Sequence, residues 1–140
     1  MPIGTQNTKI PGCGTHHVAV QTRDWKASLR LYQDVMGMTP VAEFGTPERK
    51  VMLLDTGDGS HMELFQPTGE TPLPDSPSPN DPLTHVAFGT TDARAAIELV
   101  RQAGYQVTVE PKDVNLGGLE VTVAFFKGPC GEILEFFQTH

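Results

Sequence analysis

The sequence predicts an α+β fold of two tandem βαβββ modules that form a curled eight-stranded cleft. Three observations carry the prediction: the chain repeats itself, the hydrophobic period changes from two to 3.6 and back within each repeat, and Gly/Pro clusters separate the resulting segments. In the repeat, His17-Val-Ala-Val-Gln-Thr-Arg-Asp-Trp-Lys-Ala-Ser-Leu-Arg-Leu31 aligns without a gap to His85-Val-Ala-Phe-Gly-Thr-Thr-Asp-Ala-Arg-Ala-Ala-Ile-Glu-Leu99. His, Val, Ala, Thr, Asp, Ala and Leu are identical. Further on, Gly59-Ser-His-Met-Glu63-Leu-Phe65 matches Gly131-Glu-Ile-Leu-Glu135-Phe-Phe137 at Gly, Glu and the final Phe. The offset grows from 68 at the histidines (85 − 17) to 72 at the glutamates (135 − 63), so the second copy has four more residues between them. The glycine-containing segment Pro111 to Gly118 reads as the loop that takes them up.

Each element follows in order. From Thr15 to Arg23 the residues alternate, with His17, Ala19 and Gln21 on one face and His16, Val18 and Val20 on the other, which predicts a strand. Asp24 then suits an N-cap, and Trp25, Ser28, Leu29, Tyr32, Val35 and Met36 fall at helical spacing until Gly37 ends the pattern. Strands are expected at Thr39–Phe44, Lys50–Asp55 and His61–Gln66, separated by turns at Gly45–Pro47 and Thr56–Gly59. The second copy predicts a strand at Thr84–Thr90, a helix from Asp92 to Ala103 stopped by Gly104, and strands at Tyr105–Glu110, Leu119–Phe126 and Ile133–Gln138. The expected organisation is one domain: a lead at 1–14, a first module at 15–67, a Pro-rich connector at 68–82 and a second module at 83–140.

Composition narrows the partners. Ten Lys+Arg against seventeen Asp+Glu give a net charge of -7 with no basic run, which argues against nucleic acid or an anionic membrane surface. No apolar run is longer than Val51 to Leu54, too short to span a bilayer, and the start has neither the basic nor the apolar region of a secretory signal. A cytoplasmic location is the default expectation. Two cysteines, Cys13 and Cys130, form at most one bridge and have no metal-ligand spacing to each other.

The chemistry-bearing positions are the repeated ones. A duplication that keeps a His in both first strands and a Glu in both last strands places His17, Glu63, His85 and Glu135 in quasi-symmetric positions, where the four can converge. Two imidazoles and two carboxylates suit a divalent first-row metal, and the carboxylates offset its charge. Glu63 between Met62 and Leu64, and Glu135 between Leu134 and Phe136, each interrupt an apolar strand, where a charge needs a partner or a wet cleft. His16 faces away from His17 and aligns with Thr84, so it reads as a surface or supporting residue. His61 shares the Glu63 face but aligns with Ile133, which favours a hydrogen-bonding or substrate-contacting role over ligation.

From about Thr15 to Gln138 the chain resembles the vicinal oxygen chelate superfamily of glyoxalase I, bleomycin-resistance proteins and extradiol dioxygenases. The matching motifs are His17-Val-Ala-Val with Asp24, the helix ending Leu31-Tyr-Gln-Asp-Val-Met-Gly-Met38, His85-Val-Ala-Phe and Gly128-Pro-Cys-Gly-Glu-Ile-Leu-Glu135. The order His17, Glu63, His85, Glu135 is similar to the metal set of bacterial glyoxalase I. The resemblance implies one divalent ion per site (Ni, Zn, Co, Mn or Fe), a small-molecule substrate, a homodimer, and a lyase/isomerase that transfers a proton by way of a metal-held enediolate. It implies Glu135 as the acid/base with Glu63 as its helper. Gln21, His61 and Lys112 are the candidate substrate contacts, and Arg49, Lys50 and Lys112, on expected loops, are candidate charges for gripping an anion. Similar glyoxalase I chains carry Arg four residues after the first ligand His and Asn four after the first ligand Glu; here Gln21 and Pro67 stand there, so the glutathione hemithioacetal is expected to be a poor substrate. The alternatives are an Fe(II) extradiol-type dioxygenase or other metal transfer enzyme, and a non-catalytic drug- or antibiotic-binding protein.

Overall fold

The computed structural model describes residues 6–67 and 81–140, which fall into two separate compact units. The connector expected at 68–82 lies outside the described residues apart from its last two positions. The first unit contains β1 (His17–Gln21), α1 (Trp25–Leu29), which continues as a π-helical segment (Arg30–Val35), then β2 (Thr39–Thr46), β3 (Arg49–Asp55) and β4 (His61–Phe65). The second contains β5 (Val86–Gly89), α2 (Ala93–Gln102), β6 (Val107–Leu116), β7 (Leu119–Lys127) and β8 (Ile133–Thr139). The architecture is α+β, and the eight strands form two four-stranded sheets ordered β1-β4-β3-β2 and β5-β8-β7-β6. In each sheet the first strand runs parallel to the last, and the other pairs are antiparallel.

The repeated residues make the same bonds twice. Thr22 and Thr90 donate their backbone N–H to the carbonyls of Phe65 and Phe137, and the buried Thr22 hydroxyl donates to the same Phe65 oxygen. Asp24 accepts from the Ala27 N–H, and Asp92 from the Ala95 N–H, so each helix is capped by the aspartate that the duplication preserves. Asp92→Ala is expected to cost about 1 kcal/mol, read as a fall in the urea midpoint; a shift equivalent to less than about 0.2 kcal/mol would show the cap to be dispensable. The core of the first unit includes Leu31, Tyr32, Leu54, Met62 and Leu64. That of the second includes Ile97, Val100, Ala124, Phe126, Leu134 and Phe136, with α2 packed on β6, β7 and β8 and the Phe126 and Phe136 rings stacked.

Three expectations are corrected. The first helix widens after Leu29: Met36 N–H donates to the Leu31 carbonyl five residues back, and this wider turn carries Leu31 into the core beside Tyr32. The segment expected as a loop at 111–118 is strand as far as Leu116. A tight turn at Gly117 and Gly118, both with positive φ, then leads directly into β7. The extra residues of the second copy therefore lengthen a hairpin, and register shifts between Val107 and Lys112 accommodate Pro111 within it. Lys112 and Arg49 stand on strands and not on loops, and Lys50 lies within β3, the strand expected to begin with it.

Candidate metal and active site

Cross-strand register sets the site out in rows. On one face of the first sheet, His17, His61 and Asp55 are neighbours, then Ala19, Glu63 and Leu53, then Gln21, Phe65 and Val51. His17, Glu63, His61 and Gln21 therefore share a face, and the opposite face holds the buried Met62, Leu64 and Leu54. In the second sheet Glu135 lies between Ala87 and Phe125, and Lys112, opposite Val123, shares the Glu135 face. Both glutamates oppose an alanine, the third residue of His-Val-Ala, whose small side chain leaves space beside the carboxylate.

Each unit brings one imidazole to one carboxylate. His85 Nε2 lies 2.9 Å from Glu135 Oε2, and His17 Nε2 lies 4.0 Å from Glu63 Oε2. The second pair is tighter and drier, with the Glu135 side chain 7% exposed against 16% for Glu63. The far ring nitrogen is held in both: Thr84 Oγ1 is 2.9 Å from His85 Nδ1, and His16 Nδ1 is 2.9 Å from His17 Nδ1. These contacts aim Nε2 toward the carboxylate in each unit. His16 and His17, expected on opposite faces, touch because β1 begins only at His17 and His16 precedes the alternating backbone. His61 donates from Nδ1 to the His16 carbonyl and stacks on the His16 ring, which makes it a second support for that corner. Phe125 meets the His85 ring edge-on.

Burial pushes the Glu135 carboxyl above the ordinary glutamate range, and the neighbouring His85 opposes this only in part. In the metal-free protein this carboxyl binds its proton more tightly folded than unfolded. Its contribution to stability is therefore full below the unfolded-state pKa and is lost as pH rises through the folded-state one. Metal-free Glu135→Gln is expected to lose less stability than wild type as pH rises above about 4.5. Parallel thermal melts across that range check this, and superimposable pH profiles would contradict it.

The donors fit a divalent ion on chemical grounds. Each unit offers an imidazole nitrogen and a carboxylate oxygen whose partner atoms already face each other, and a bound cation would relieve the penalty on the buried Glu135 charge. Among the described residues no three His, Cys, Asp or Glu side chains gather as a ligand group, and each unit presents a pair of donors. Cys13 is exposed and Cys130 is buried, and no described helix is long and apolar enough to cross a membrane.

Paired βαβββ units with a His–Glu couple on each sheet define a class of fold, and comparison with known proteins places the chain within it. The chain belongs to the Glyoxalase/Bleomycin resistance protein/Dioxygenase superfamily, whose profile matches residues 14–136. It is similar to a lactoylglutathione lyase of Haemophilus influenzae, 32% identical over 124 residues covering 87% of this chain and 90% of that one. It is also similar to a probable lactoylglutathione lyase of Vibrio cholerae, 31% identical over 87% of this chain and 88% of the relative. Its fold matches a glyoxalase family protein from Enterococcus faecalis with a TM-score of 0.72 at 23% identity, over 89% and 96% of the two chains.

Proposed function

We propose that this protein is a glyoxalase I-like, divalent-metal-dependent lyase/isomerase that moves a proton between adjacent carbons of a small α-oxo or α-hydroxycarbonyl substrate. The observation that carries the reading is the twofold His–Glu couple, with each histidine held at Nδ1 and turned through Nε2 to its glutamate. His17, Glu63, His85 and Glu135 would hold the ion, which when bound supplies Lewis-acid polarisation of the substrate carbonyl. Glu135 takes the proton from the carbon next to that carbonyl and returns it to the neighbouring carbon. Its burial between Leu134 and Phe136 keeps water away and makes its carboxylate a stronger base than an exposed one, while His85 fixes its orientation. Glu63, more exposed and farther from its histidine, is the helper. Gln21 and His61 on the Glu63 face, and Lys112 on the Glu135 face, orient the substrate. A homodimer follows from the family resemblance, and sedimentation of the purified protein checks it.

Relatives named lactoylglutathione lyase support the reaction type. Gln21 and Pro67 separate this chain from an enzyme fitted to glutathione, because a neutral amide and a ring without a side-chain donor replace two grips on the peptide. Losing two charge-assisted contacts of about 1.5–3 kcal/mol each lowers recognition by orders of magnitude. The methylglyoxal–glutathione hemithioacetal is therefore expected to give kcat/KM below about 10⁵ M⁻¹s⁻¹ with nickel- or zinc-loaded protein. A higher value would show ordinary glutathione recognition. A panel of hemithioacetals, 2-acyl-CoA thioesters and catechols tests the reaction type: isomerisation without oxygen uptake supports the proposal, and oxygen-consuming catechol cleavage contradicts it.

A further inference from the structure

We infer that Arg49 is a specificity-determining anion grip, and that the substrate carries a carboxylate at the end remote from its reacting carbonyl. The inference deepens the proton-transfer reading and takes from it only the identity of the reacting end. Arg49 opens β3 immediately after the β2–β3 turn, and its guanidinium carbon lies 5.0 Å from the centre of the Phe65 ring. Phe65 is two residues beyond Glu63 on the same strand, hence on the same face, and is flanked by Gln21 on β1. The charge therefore lies over the face that carries His17 and Glu63, about 7 Å further along by strand rise.

Three features make it a recognition group and not a solvated surface charge. First, the guanidinium has no carboxylate partner among the described residues, although the chain has seventeen acidic side chains to ten basic; Arg94 and Arg101 are both paired with carboxylates, and neighbouring Lys50 with Glu43. Second, Arg49 Nε is buried without a hydrogen-bond partner among the described residues. That donor stays unmet until an acceptor arrives or the side chain shifts. Third, the base of the side chain is fixed. Arg49 N–H donates to Thr46 Oγ1, and a Cβ at Gly45, whose φ is 95°, would collide with the Arg49 carbonyl. An arginine laid on an aromatic face keeps its planar fork of donors in one orientation, which matches a carboxylate and distinguishes it from a neutral amide. Here the cation stands over Phe65, one row beyond the Glu63 row. A compact substrate with one carboxylate a few bonds from its α-hydroxycarbonyl spans that interval.

The test uses the full chain, with and without zinc, and follows the Arg49 Nε–H resonance by ¹⁵N NMR while glutarate or neutral glutaramide is added. Glutarate should shift that resonance saturably, glutaramide should not, Arg49→Gln should weaken glutarate binding at least tenfold, and Arg49→Lys should weaken it less. In turnover, the methylglyoxal hemithioacetal of 3-mercaptopropionate should have a KM at least tenfold below that of 2-mercaptoethanol. Arg49→Gln should erase the difference by raising the KM of the 3-mercaptopropionate adduct at least tenfold. Equal responses to glutarate and glutaramide, or glutarate binding unchanged in Arg49→Gln, overturns the inference. Saturable, Arg49-dependent glutarate binding without turnover of any hemithioacetal would uphold the grip while refuting the proton-transfer reading.

Discussion

Glu135→Gln is expected to lower kcat for proton transfer by two to four orders of magnitude, the usual worth of a positioned acid/base, with a folded protein that still holds part of its metal. The reason lies in the contrast between the two glutamates. Glu135 is nearly sealed in its strand, 2.9 Å from His85, and burial makes its carboxylate the stronger base; Glu63 is more open and 4.0 Å from His17. Glu63→Gln should therefore cost nearer tenfold in kcat. Steady-state rates normalised to bound metal separate the two. Equal losses in both variants would mean that the carboxylates act symmetrically, and a larger loss at Glu63 would reverse the assignment.

The second large effect is on metal retention. His17→Ala and His85→Ala should each remove more than about nine-tenths of the bound ion after dialysis, because each leaves its unit with a carboxylate alone. Affinity in the wild type should fall on acidification, because protons compete with the ion for the same donor atoms. Thr84→Val should have a smaller effect in the same direction, of about ten- to a hundredfold in affinity, because it removes the hydroxyl that holds His85 Nδ1. Calorimetric titration with zinc gives all three values. Normal affinity in both His→Ala variants would mean that these residues do not ligate.

What the sequence made legible was what the duplication wrote twice. Thr22 and Thr90, Asp24 and Asp92, His17 and His85, and Glu63 and Glu135 each occupy equivalent places, and their alternation within short strands fixed the faces they share. The π-helical turn was not legible, because the apolar spacing from Trp25 to Met36 fits a 3.6-residue period as well, and the wider turn is chosen by burying Leu31 and Tyr32 together. The long β6 was masked by Pro111 and the glycines after it, which read as a loop until the bulged register absorbs the proline. The contact between His16 and His17 escaped because alternation was carried two residues too far upstream, from Thr15 where β1 begins at His17. Arg49 was legible only as one of three candidate anion-gripping charges; what singles it out is Phe65, sixteen residues away and brought near only when β3 pairs with β4.

The proton-transfer claim is tested most directly by thioester formation. Protein loaded in turn with Ni, Co, Mn or Zn is given the methylglyoxal hemithioacetal of 3-mercaptopropionate, and the lactoyl thioester is followed in the ultraviolet against Glu135→Gln. The account predicts conversion with kcat/KM above about 10⁴ M⁻¹s⁻¹ for at least one ion, lost on metal removal, restored on readdition and nearly absent in Glu135→Gln. Protein that retains an equivalent of each ion yet forms thioester no faster than buffer, or forms it equally well after Glu135→Gln, would contradict it.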